Sequence, residues 1–373
     1  MAVGLDAGIA AAGAPIPYDP AMVTGLIVAA DGISTPWQEG RDRQHLPGDD
    51  PTLMELWAPW VRGFILSTEV LPTINFTVEG DGDVTLHAMK RQVSGSSLRV
   101  VGRQMLEIKR PNEHKFRQQL DLVRAHTDLR ADRQAEIISQ LGFPTPYFGS
   151  IVSLHPSRDA RVLELIAVVQ GLGATISMRT KHALACRRPD ELSDQIMPMI
   201  PTPGHGSFPA AHAVEAFAVG ELLKMLFFPG SNDADERGRK ALDRQAARVS
   251  QNRVIAGVHY PVDSYLGAVL GRMLTHHLAL LADQSAPVLR VKFAGDRFDG
   301  EEDFDHRAIT PDDGEVGLKR KHPELSVAHV RASLPPSAPL RWLWEEAKHE
   351  IALRNDPTKR RDGPADSAVE DPS

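Results

Sequence analysis

A single cysteine, Cys186, in 373 residues excludes an intrachain disulfide framework and any zinc site built from several thiolates. Positive charge is in deficit too. The chain has 42 Lys and Arg against 49 Asp and Glu, a net charge of -7. Such a protein is not built to coat nucleic acid or anionic lipid, so a local cluster of cations carries more weight than in a basic protein. No cationic n-region opens the sequence, and Ala7 to Ala14 is mostly alanine and glycine, so no signal peptide is read. The chain is therefore expected in the cytoplasm, with export by another route left open. No apolar run of about 18 residues is free of charge, and neither a transmembrane helix nor a membrane partner is expected. The best run, Ala210–Phe228, is interrupted by Glu215, Glu221 and Lys224. No internal repeat is found.

What is present is a composition of 42% hydrophobic and 24% charged residues with a mean hydropathy of -0.25, enough for a globular body with a real core. Residues 1–110 read as an N-terminal arm and packing segment. Within them Leu53 onward predicts a short helix interrupted at Pro59. Ile74, Phe76 and Val78 alternate with polar residues before the turn signal Gly80-Asp81-Gly82-Asp83, which predicts a small hairpin. Residues 111–285 read as a helical core, with helices over 112–141, 158–187, 210–228, 234–255 and 260–281. Residues 286–373 read as a C-terminal extension with one helix, Leu340–Leu353, and a disordered tail beyond Asn355. The fold class predicted is mainly α, a helical bundle forming one structural domain overall.

The chain is organised around residues 201–215, a loop of three prolines, two glycines and two histidines that opens into a long apolar helix. Pro209 sits where a first-turn proline is tolerated. The amides of Ala210, Ala211 and His212 are expected free at the helix mouth, a natural anion site. His212 stands at that mouth and exchanges a proton near neutral pH.

Two further pieces accompany it. Lys181 and Arg188, seven apart, are expected on one helix face two turns apart, with Pro189 ending the helix. Arg253 and His259 are six apart, the wrong spacing for one face. A break at Gly257 and Pro261 is expected to swing both to one point, with Asp263 holding the His259 ring. Taken singly, each piece is better read as a solvated helix edge or a capped helix start. Together they supply three permanent cations, two histidines and a helix N-terminus.

In that order the residues resemble the vanadium-dependent haloperoxidases, which share an oxyanion pocket with the type-2 phosphatidic acid phosphatases and related acid phosphatases. The shared pattern is Lys-x6-Arg-Pro, then Pro-Ser-Gly-His, then Ser-Arg-x5-His-x3-Asp. Here it reads Lys181 to Arg188-Pro189, Pro209-Ala210-Ala211-His212, and Asn252-Arg253 to His259 and Asp263. The match spans about residues 178–265, and the first 110 and last 90 residues add none. The upstream Thr202-Pro203-Gly204-His205 resembles the longer signature of the bromoperoxidases, with His205 where they carry a second histidine.

The resemblance implies vanadate as cofactor, with His259 binding vanadium through a ring nitrogen. Lys181, Arg188 and Arg253 would neutralise the vanadate oxygens, and the Ala211 amide would add a donor. His212 would act as acid–base group, with His205 beside it. The substrates would be hydrogen peroxide, bromide or iodide, and a small organic acceptor, and the chain would form a dimer or larger homo-oligomer. Two alternatives stay open: a soluble acid phosphatase with His259 as nucleophile, and an oxyanion-binding homologue without turnover. Ala210 replaces the family serine, whose hydroxyl would bind an oxyanion oxygen, and Ala211 replaces glycine. Cys186 reads as a packed thiol, and His276-His277 as a helix pair without a carboxylate at ligand spacing.

Overall fold

The computed structural model describes residues 46–355, apart from 81, 95, 285, 287, 313–316, 320, 323–324 and 330–333. Most of the expected N-terminal arm and all of the expected tail lie outside the described residues. The chain is mainly α, with a small mixed sheet. A 3-10 turn, Pro51–Leu56, precedes helix α1 (Pro59–Val70), so Pro59 starts a helix rather than interrupting one.

The expected hairpin is larger than the alternation of Ile74, Phe76 and Val78 suggests. Strands β1 (Ile74–Glu79), β2 (Asp83–Ser94) and β3 (Ser97–Lys109) form an antiparallel meander. β4 (Leu289–Ala294) pairs parallel with β3, and β6 (Leu325–His329) and β5 (Lys321–His322) follow, in the order β1-β2-β3-β4-β6-β5. The C-terminal region therefore completes a sheet begun in the N-terminal third.

The expected helix over 112–141 is two helices, α2 (Glu113–Ala125) and α3 (Arg130–Ser139), parted by a 3-10 turn. The break re-aims α3 so that Arg130 donates to the carbonyls of Ile196, Met197 and Ile255. A short helix, α4 (Thr145–Val152), leads to the bundle. The bundle comprises α5 (Ala160–Leu184), the one-turn α6 (Pro189–Leu192), α7 (Ala211–Phe227), α8 (Asp233–Ile255) and α9 (Pro261–Leu281), with α10 (Ala338–Asn355) packed on α5.

α7 is buried almost all round, as expected for a helix that is apolar on every side. Its charged residues Glu221 and Lys224 do not reach solvent. Lys224 pairs with Asp243 of α8 at 2.6 Å, Arg272 of α9 meets the same carboxylate at 2.7 Å, and His276 bonds Glu221 at 2.9 Å. His276 thus has a carboxylate partner after all, from a neighbouring helix. α7 and α9 cross very closely. A Cβ on Gly267 would lie 2.6 Å from the Ala213 Cβ, and one on Gly271 would lie 2.3 Å from the Val214 carbonyl oxygen.

One expectation is corrected here. The segment Ala160–Leu192 is long and apolar enough to cross a membrane by length and composition, with a mean hydropathy of 1.4 in its best window, 56% of which is buried in the body. The expected absence of a membrane-length helix, and with it the cytoplasmic placement read from the missing signal peptide, do not stand.

Candidate functional site

The loop before α7 is strapped over the end of α5 by cations. Lys181, near the C-terminus of α5, donates to the carbonyls of Gly206 at 2.9 Å and Ser207 at 2.7 Å. Two of its three protons are thereby used. Ser207 N–H donates in turn to the Cys186 carbonyl at 2.9 Å. The approach is tight, since a Cβ on Gly206 would lie 3.1 Å from that same oxygen.

Arg188 arrives by a different route from the one its spacing implies. α5 ends at Leu184, and Ala185 turns the chain with φ of 51°. Arg188 then sits as N-cap of α6, not on the face of Lys181. Its guanidinium nevertheless returns to the loop. Nε donates to the His205 carbonyl at 2.8 Å, and Nη1 donates to the Val258 carbonyl at 2.6 Å and stands 3.4 Å from His259 Nε2.

The break expected at Gly257 and Pro261 is present between α8 and α9. Gly257 takes φ of 82°, a conformation that disfavours any side chain. His259 follows and turns into the core with 3% of its surface exposed. Its Nδ1 bonds Asp263 Oδ2 at 2.8 Å. The same Oδ2 accepts from the Tyr260 amide at 3.0 Å and from the Ser207 hydroxyl. An acceptor on Nδ1 fixes the proton there and leaves the Nε2 lone pair free toward Arg188. Burial, then the Arg188 and Lys181 charges, push the His259 pKa well below its ordinary value, so the ring is neutral.

Arg253 supplies the clearest sign of a missing partner. It is buried, and one nitrogen donates to the Ile137 carbonyl at 3.1 Å. Its Nε and Nη1 are buried with no partner among the described residues. Buried donors are almost always satisfied, yet two donors of this guanidinium stand unspent.

His212 begins α7 and holds its Nε2 3.0 Å from the Gln140 carbonyl. The proton is therefore on Nε2 and the lone pair on Nδ1, the opposite tautomer to His259. Burial, then Arg253, push its pKa to about 3, with Lys181 and Arg188 also acting. All three cations thus bear on this ring. His205 is half-buried near Arg188, and burial followed by Lys181 pushes its pKa to about 4. The lining of half-buried residues is His205, Gly206 and His212, while the cations behind them are buried.

The free amides are shifted by one from those expected. Ala210 is the N-cap, and its N–H donates to the Asp263 carbonyl at 2.9 Å. The first intrahelical bond is from Val214 to the Ala210 carbonyl, so Ala211, His212 and Ala213 present the unpartnered amides. Ala210 caps the helix with no side-chain hydrogen bond.

Several residues of the site escape a reading of spacing alone. Glu215 lies one turn into α7, and burial raises its pKa to about 8 against the pull of Lys181 and Arg253. Held neutral, it adds no negative charge to that of Asp263, Asp190 and Glu191 around Arg188 and of Glu136 near Arg253. Its signal in the sequence is a carboxylate three residues after His212 in an apolar helix. Ser207 fixes Asp263 from the loop. Gln140 positions His212, and its own side-chain oxygen accepts from Asn252 at 2.9 Å, which ties α8 to α3. Neither Ser207 nor Gln140 has a sequence signal of its own. Cys186 is buried, and its thiol is pushed up to about 12 by burial, which fits a packed thiol. No cluster of three or more metal-ligating side chains occurs among the described residues.

No family model and no curated protein matches the chain. It is similar to the crystal structure described as the first transmembrane PAP2 type phosphatidylglycerolphosphate phosphatase from Bacillus subtilis, with a TM-score of 0.36 and 20% identity over 44% of this chain and 84% of that one.

Proposed function

We propose that the chain is an oxyanion-handling enzyme of the superfamily shared by type-2 phosphatidic acid phosphatases and vanadium haloperoxidases, and that it hydrolyses a phosphate ester through His259. The observation that carries this reading is the neutral His259 held by Asp263, its Nε2 lone pair turned toward Arg188. Arg253 keeps two unspent donors, and its charge bears on His212.

The phosphate oxygens are held by Lys181, Arg188, Arg253 and the first amides of α7. Each charge-assisted hydrogen bond contributes about 1.5–3 kcal/mol. His259 Nε2 attacks phosphorus, the ester P–O bond breaks, and its electron pair leaves on the alcohol oxygen. His212 delivers the proton to that oxygen. The bound phosphate offsets the three cations that, after burial, keep His212 neutral, so that the ring takes up a second proton on Nδ1 to deliver. Water then attacks the phosphorus of phosphohistidine, His212 takes the water's proton, and His259 leaves with its Nε2 lone pair.

A second reading is supported by His205, half-buried within 3.2 Å of Arg188 Nη2. Vanadate has the shape and charge of phosphate, and the residues that fit one fit the other. When bound, it supplies a Lewis acid for peroxide, with His212 taking the peroxide proton and bromide or iodide as the reductant. The buried, unpartnered donors of Arg253 fit either oxyanion.

The test runs aryl phosphate hydrolysis beside bromide and iodide oxidation by hydrogen peroxide, each with and without vanadate. Hydrolysis that vanadate inhibits is the expected result. Halide oxidation that requires vanadate and is suppressed by phosphate, without hydrolysis, would replace the first reading with the second. Inactivity in both, with phosphate still bound, would leave an oxyanion-binding protein.

A further inference from the structure

A cavity of about 300 Å³ opens far from this site, between α9 and the face of β2, β3 and β4. His276, which lines it, is 15 residues after Pro261, so the cavity lies about 22 Å along α9 from the His259 end. Met105, Met273, Leu280 and Leu289 supply much of its wall. Two methionines give that wall an adaptable shape. No Asp or Glu lines it, although the chain as a whole is acidic.

The polar groups on the lining are Lys90, Arg103, Gln104, His276 and His277, of which Gln104 is committed to Glu107 at 2.7 Å and His277 to the Thr73 hydroxyl at 2.7 Å. Lys90 stands on β2 and has no ion-pair partner among the described residues. Ala88 pairs with Arg103 and Lys90 with Val101, which places Arg103 diagonally beside Lys90 on the same face. His276 is 2% exposed. Its Nε2 is committed to Glu221, and its Nδ1 is buried without a partner. An apolar wall, a cationic edge and the absence of any lining carboxylate together describe a ligand with an alkyl body and an acidic head.

We propose that this cavity binds a single-chain amphiphile bearing a carboxylate. Its chain lies between Met105, Met273, Leu280 and Leu289, and its head group sits at Lys90. The site is separate from the oxyanion pocket and does not depend on the reaction proposed there.

Sodium decanoate titrated into the full-length protein by calorimetry is the direct probe, with decan-1-ol as its uncharged counterpart. One saturable decanoate site is expected. Lys90→Gln is expected to weaken decanoate about tenfold and leave decan-1-ol unchanged. Met105→Trp, which fills the cavity, is expected to abolish both. Met273→Phe fills it from the helix side and keeps the test in hand where the tryptophan variant does not fold. Absence of saturable binding in the wild type, or affinities equal in the wild type and the filled variant, would overturn the proposal. So would equal weakening of decanoate and decan-1-ol by Lys90→Gln.

Discussion

His259 Nδ1 lies 2.8 Å from Asp263 Oδ2, and that one hydrogen bond decides which nitrogen of the ring remains for chemistry. Asp263→Asn keeps the shape but presents an amide that can donate to Nδ1, shifting the ring proton to Nε2. By analogy with a serine-protease triad, kcat for aryl phosphate should fall about 10⁴-fold. Circular dichroism and the affinity for inorganic phosphate should change little. Retained kcat would show that His259 is not the nucleophile.

Arg253 tests the anion seat without touching the nucleophile. Arg253→Met removes two unspent donors, so the phosphate or vanadate dissociation constant should rise at least tenfold, since each donor is worth about 1.5–3 kcal/mol. Arg253→Lys should recover only part of it, because a point charge cannot replace the fork. Isothermal calorimetry reads both.

Ala210 leaves α7 without a side-chain cap. Ala210→Ser should raise stability to urea by about 1 kcal/mol through a hydroxyl on a first-turn amide. It should also tighten vanadate binding if that hydroxyl reaches the oxyanion. The two effects separate by experiment, because a purely capping serine moves the urea midpoint and leaves vanadate affinity alone.

Acid should destabilise the fold through its neutral histidines. Burial lowers His205, His212 and His277 to pKa values of about 4, 3 and 4. Their depressed values mean that the unfolded chain binds more protons than the native one between about pH 6.5 and those values. The histidine contribution to stability is thus complete above about pH 6.5 and declines as pH falls toward 4. Calorimetric melting across pH 4–7 should show this, and phosphate should flatten the slope by raising His212. The His277 contribution, far along α9, should persist.

Glu215 has the opposite sign, being raised to about 8 by burial. It ionises as pH climbs through that value and then sets a negative charge beside the oxyanion. Glu215→Gln should therefore bind phosphate more tightly than wild type at pH 9 and about equally at pH 6. Equal affinities at both pH values would remove Glu215 from the pocket.

The helical core was legible because its signals are local. Asn232, Pro261 and the long apolar periods put the ends of α8 and α9 within a residue or two of their expected places. Arg188 was misplaced because α5 stops at Ala185 in a left-handed turn, and no glycine marks that position. The sheet was underestimated because β4 is short and pairs with β3, nearly 200 residues away, and β6 joins the sheet only through β4. Ser207 and Gln140 were unreadable for a related reason. Their roles come from contacts between elements, and Gln140 acts on His212 through its backbone carbonyl.

The close crossing of α7 and α9 makes the spacing of His212 and His259 a mechanical quantity. Each histidine lies at the amino end of its helix, so the two helices act as arms joined where Gly267 and Gly271 admit no side chain. The separation of the two rings is gauged at that joint, one to three turns from the reacting atoms. A methyl group added there would pry the arms apart and retune the site while leaving every residue that touches the oxyanion unchanged.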